Sequence, residues 1–124
     1  GQTTIGSAMT FNSGVFSFPV TGKWLVRANW KHYINGSSRY QTHYIMVTQD
    51  NSNYHLLANM TTGIAHAESS NTYDTGTQET TVDVTNTSLV KIKFETYVSN
   101  TSVSTIGHSD YNNTHFTFMR LGDT

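Results

Sequence analysis

The stretch from Gly14 to Asn35, GVFSFPVTGKWLVRANWKHYIN, constrains the fold more than any other. Val15 to Phe18 is rich in β-branched and aromatic residues and reads as a short strand. Pro19 cannot donate to a sheet ladder, so that strand stops there, and Gly22 closes the turn. From Lys23 the pattern alternates. Trp24, Val26, Ala28 and Trp30 fall on one face, and Lys23, Arg27, Asn29 and Lys31 on the other. That period of two is the signature of a half-buried strand. Leu25 interrupts the polar face, which predicts partial cover there as well.

The rest of the chain follows the same grammar. A short strand is expected near Ala8 to Phe11, and Asn35-Gly36-Ser37-Ser38 is a turn of the kind that tight hairpins use. Arg39 to Thr48 puts Tyr40, Thr42, Tyr44 and Met46 on one face and His43, Ile45 and Val47 on the other. Tyr54 to Thr62 and Gln78 to Val84 are further strands, separated by a polar loop from Gly63 to Gly76. Leu89 to Val98 turns Val90, Ile92, Phe94 and Val98 one way and Lys91, Lys93, Glu95 and Tyr97 the other. A second long loop, Ser99 to Asn113, precedes a last strand from Thr114 to Leu121. No segment holds the helical apolar period over three turns. About eight strands with short turns and two long loops predict an antiparallel sandwich or jelly roll. With 124 residues and no internal repeat, one domain over 1–124 is expected.

Composition narrows the function. Charged residues are 12% of the chain, about half the usual share, while Thr, Ser and Asn abound. A surface solubilised by hydroxyls and amides suits a β-domain on a virion or outside the cell. The net charge of −1 argues against a nucleic-acid partner, and no apolar run approaches the ~20 residues of a membrane span. There is no cysteine for disulfides or thiolate ligands. The first residue is Gly1, which reads as a processed protein or a piece of a longer one.

Candidate chemistry is sparse. His32, His43, His55, His66, His108 and His115 show no His-x-His or His-x-x-x-His pairing, and His32, His43, His55 and His115 fall in expected strands, so hydrogen-bonded sheet or interface histidines are expected in place of a metal site. There is no Gly-x-Ser-x-Gly elbow, and Glu68, Glu79 and Glu95 lie in different expected elements, so neither a serine hydrolase nor a two-carboxylate glycosidase is indicated. No enzyme activity and no cofactor are expected. The aromatics say more. Strands that are aromatic on both faces, Trp30 with Tyr33 above all, exceed what a small interior absorbs. The surplus predicts burial against a partner subunit, with Trp24, Trp30, Tyr33, Tyr44, Phe94, Phe116 and Phe118 in the core or at that contact.

Gly14-x-Phe16-x-x-Pro19-x-x-Gly22-x-Trp24 is similar to the opening motif of the tumour-necrosis-factor-like and complement-globular-head jelly rolls, Gly-x-Phe-x-x-Pro-x-x-Gly-x-Tyr-x-Phe. Trp24 and Val26 stand where Tyr and Phe are usual. Thr81 to Val84 with Leu89 to Phe94 resembles the family's paired sixth and seventh strands, with Thr87-Ser88 where Gly-Asp is frequent. Thr114 to Met119 resembles its closing strand without the glycine. The resemblance implies a compact homotrimer. Combined with the composition, it leads to a non-enzymatic binding module: the tip of a viral fibre or adhesin, of a phage in particular, that recognises a cell-surface receptor or glycan. The alternatives are a decoration protein clamping capsid proteins and a secreted complement-like or cytokine-like ligand.

Strand parity places the binding surface. If every strand crosses the domain, successive loops alternate between its ends. Ser99 to Asn113, Gly63 to Gly76 and Asn35 to Ser38 then gather opposite the C-terminus, and the short turns Gln49 to Asn53 and Thr85 to Ser88 gather beside it. Within the long loops, His66, Glu68, Tyr73, Asp74, His108, Asp110 and Tyr111 offer hydrogen bonds and a stacking face.

Overall fold

A computed structural model describes residues 4–67 and 69–124 of the chain. Its strands are β1 (Thr10–Asn12), β2 (Val15–Ser17), β3 (Gly22–Ile34), β4 (Ser38–Thr48), β5 (Tyr54–Ile64), β6 (Thr72–Val84), β7 (Lys91–Val98), β8 (Ser104–Thr105) and β9 (His115–Gly122). They form two antiparallel sheets arranged as a sandwich. One has the order β1-β2-β7-β4-β5. In the other, β3 lies between β6 on one side and β8 and β9 on the other.

The alternation read from β3 holds along its whole length. Trp24, Val26, Ala28, Trp30, His32 and Ile34 are buried, and the residues between them face outward. β4 turns Gln41, His43, Ile45 and Val47 inward. The apolar core joins Phe18, Trp24, Val26, Ala28, Trp30, Ile45, Val47, Val82, Val84, Val90 and Ile92, with Phe16, Phe94, Phe116 and Phe118 packed against it. Phe94 and Phe116 stack across the two sheets with ring centroids 3.9 Å apart. Trp24, Trp30, Phe94, Phe116 and Phe118 therefore belong to the interior, while Tyr33 and Tyr44 lie half-buried on outer faces.

Two glycines are demanded by close approach. A side chain at Gly22, whose φ is +142°, would collide with the Gly122 carbonyl at the irregularity between β3 and β9. At Gly76 it would meet the Met60 thioether sulfur at 2.8 Å, so this position lets Met60 of β5 reach under β6.

Three local readings need correction. The tight hairpin is Ser13-Gly14, joining β1 to β2 with positive φ at both residues. Asn35-Gly36 instead carries the chain from one sheet to the other, since Ile34 pairs with Thr72 of β6 and Ser38 with Ile64 of β5. β6 begins at Thr72 and not at Gln78, because pairing with the full length of β3 extends a polar segment whose own alternation is weak. The expected loop from Gly63 to Gly76 thus shrinks to 65–71, and the second long loop contains β8, paired with His32 and Tyr33.

Candidate binding surface at the loop end

The loops gather as parity requires. Asn100 Nδ2 donates to the Ser37 carbonyl at 3.1 Å, and the Ser38 and Ser99 hydroxyls lie 3.0 Å apart. Residues 65–71 leave beside Ser38 and re-enter beside Ile34. At the other end, the Asn51 amide donates to the Leu89 carbonyl, and Gly122 pairs with Lys23 near the C-terminus. Asp50 shapes the short turn there. Its Oδ1 accepts from the Ser52 and Asn53 amides and its Oδ2 from the Asn53 side chain, which together with the Thr48 hydroxyl hold its carboxyl well below the usual carboxylate range.

The expected apex residues do not form one cluster. His108 and Tyr111 stack at 3.8 Å, with the Asp110 amide donating to His108 Nδ1 at 3.0 Å, and Tyr111 is 57% exposed. Tyr73 belongs to β6 and not to a loop. It lies on the outer face, 56% exposed, with its ring 5.8 Å from that of Tyr33. His66 is exposed in the loop after β5. Glu68 lies outside the described residues. Asp74, also a β6 residue, points the opposite way from Tyr73, into the sandwich, where Gln41 Nε2 donates to its Oδ2 at 3.0 Å in the amide orientation that satisfies both Gln41 atoms. It is half-buried, with its Oδ1 enclosed.

Lys31 was not among the expected apex residues, yet it reaches both Tyr73 and the 99–114 segment. Its Nζ donates to Asn113 Oδ1 at 3.3 Å and stands 5.8 Å from the Tyr73 ring centre. Its backbone also ties down the loop: the Ile106 amide donates to the Lys31 carbonyl, and the Lys31 amide donates to the Thr114 hydroxyl. Alternation placed Lys31 outward, but only the sheet register sets it near Tyr73 and Asn113. The resulting surface offers a cation, exposed ring faces and amide donors, a chemistry suited to sugars and to polar protein surfaces.

No family model matches the chain, and no curated protein does.

Beneath this surface the interior is polar. His32 pairs across β3 with Asp74 on one side and Thr105 on the other, and His43 pairs across β4 with Met60 and Thr96. The two imidazoles, both 0% exposed, stack face to face at 4.8 Å, with Trp30 stacked on His43 at 4.6 Å. One ring nitrogen of each shares a hydrogen bond with a threonine: His32 Nδ1 with Thr105 at 3.0 Å, His43 Nδ1 with Thr96 at 3.1 Å. Among the described residues neither Nε2 has a hydrogen-bond partner, and the buried Asp74 Oδ1 has none either. Burial lowers the pKa of His32, opposed by the Asp74 charge and by the Ser104 backbone. Burial, reinforced by the charge on His32, lowers that of His43 to about 4. The expectation of hydrogen-bonded sheet histidines describes His32, His43 and also His115, whose Nε2 lies 2.9 Å from Asn29 Nδ2. Among the described residues, no group of three His, Cys, Asp or Glu is arranged to hold a metal.

Shallow hollows also mark the sheet faces among the described residues. One, of about 330 Å³, lies on the outer face of the β4–β7 sheet between Tyr44, Met46, Leu56, Glu95 and Tyr97. Another, of about 260 Å³, opens sideways beside the short β1–β2 hairpin onto Phe16, Trp30, Phe94 and Phe116.

Proposed function

We propose that the chain is a non-enzymatic binding module of jelly-roll topology, a homotrimer that presents its loop end to a cell-surface glycan or protein, as the tip of a viral or phage fibre or adhesin does. The observation that carries this reading is the separation of the ends. The loops 65–71 and 99–114, with the His108–Tyr111 stack and Lys31 beside them, lie opposite the C-terminus. A stem joined at the C-terminal end would leave that surface outermost.

The strand order supports the jelly-roll topology. β1-β2-β7-β4-β5 faces β6-β3-β9, and apart from the β1–β2 and β4–β5 hairpins the connections between these strands cross from sheet to sheet. The trimer is favoured by apolar groups left outside. β5 is an eleven-residue edge strand carrying exposed Leu56 and Leu57, and Met119 and Leu121 of β9 are exposed on the opposite sheet. An edge packed on a neighbour's sheet face is a heterologous contact, and three such contacts close a ring. The resemblance of the Gly14 to Trp24 motif points the same way.

Screening the labelled protein on a glycan array and on a panel of whole cells tests the reading. Binding that Tyr111→Ala and Lys31→Ala abolish while assembly persists supports it. Binding kept by both variants, but lost when Tyr44 or Tyr97 is replaced, would move the site to the outer sheet face.

A further inference from the structure

We propose that the stacked His32–His43 pair is an acid-released latch, whose protonation frees β8 and the 99–114 segment from the sandwich. The latch is defined by what it connects. His32 on β3 bonds Thr105 of β8, and His43 on β4 bonds Thr96 of β7, so the stacked rings tie the two sheets together directly beneath the loop end. β8 is two residues long. Among the described residues its ladder partners are His32 and Tyr33, and just beyond it the Ile106 amide adds one bond to the Lys31 carbonyl. It is the strand most easily lifted, because so few ladder bonds oppose its release.

The surroundings favour the neutral rings. Among the described residues, the titratable neighbour is Asp74 from β6. The groups offered by β4, β5, β7, β8 and β9 are Gln41, Met60, Thr96, Thr105 and Phe116, none charged. A first proton is best accommodated on His32, next to Asp74. A second, on His43, meets a like charge one stacking distance away with no carboxylate of its own. Each new N–H also needs an acceptor. Among the described residues both Nε2 atoms are buried without a hydrogen-bond partner, and only His32 has a backbone group nearby, that of Ser104, that favours its charged form. Opening β8 admits water to both rings. The freed segment carries the His108–Tyr111 stack, so the inference rests on the proposed function for what the latch controls, though not for its existence.

Residue-resolved amide exchange of the intact protein at pH 7 and pH 5, corrected for intrinsic rates, tests it. With His43 held near 4 in the closed form and near 6.5 once hydrated, opening of 99–114 should rise on the order of twenty-fold over this range. At both pH values the opening of 99–114 should need less free energy than the opening that exposes Val82 and Val84, at the far end of β6. His43→Phe, which keeps the ring stack without a titrating group, should remove the rise. No rise in the wild type, or the same rise in the variant, overturns the latch. Should His43→Phe fail to fold, Asp74→Asn serves. Nitrogen-detected titration should then show His32 protonating at lower pH, and an unchanged titration overturns the coupling. Glycan or cell binding measured at both pH values separates the two claims, because a latch that opens in a protein that binds nothing would defeat the function and leave the latch standing.

Discussion

The two ends of the sandwich share the same strands and are filled with opposite chemistry. Near the short turns, Phe18, Trp24, Val47, Val84, Val90 and Ile92 form an apolar plug. Near the loops, equivalent inward positions of the same strands hold His32, Ser38, Gln41, His43 and Asp74. β3 shows the change within one strand, passing from Trp24, Val26 and Ala28 through Trp30 to His32. Apolar burial stabilises without regard to pH, whereas a buried polar layer depends on every partner being present and on the protonation of each. The short-turn end carries the apolar burial and the loop end the titratable layer.

The largest effect should come from the apolar end. Trp24→Ala removes a buried ring packed on Phe18 and should cost about 3–5 kcal/mol in urea unfolding. A cost under about 1 kcal/mol would erase the contrast.

Next is acid sensitivity. Because the folded His43 pKa is depressed to about 4, its contribution is fully present above the unfolded value of 6.5 and is lost as pH falls between the two. Stability should drop by on the order of 3 kcal/mol across that window. His43→Phe should flatten the profile, and Trp24→Ala should lower it without changing its slope. A slope altered equally by both would mean that the ends are not separate.

Smaller still, Tyr111→Ala should change stability by less than about 0.5 kcal/mol while affecting binding. Arg27→Ala, which breaks the half-exposed pair with Glu79 at 2.8 Å, should cost no more than ~0.5 kcal/mol in the same unfolding assay.

Much of this was legible in the sequence because strand alternation is local. The inward sets on β3, β4 and β7 follow from residue parity alone, and parity also gathers the loops correctly at one end. What pairing decides was hidden. Thr72 to Thr77 is polar, and only β3 beside it makes it a strand, which moves Tyr73 and Asp74 out of the loop and onto opposite faces. Alternation likewise put His43 with Ile45 and Val47, and it carries His32 onto the face of Trp30. That the two histidines meet across the interior depends on sheet stacking, which no local pattern encodes.

The claim on which the proposed function most depends is assembly, and sedimentation equilibrium without denaturant at pH 7 tests it most directly. A trimer gives a single species of about three times the 13.8 kDa chain mass across the concentration range. A monomer of 13.8 kDa at every concentration would contradict it.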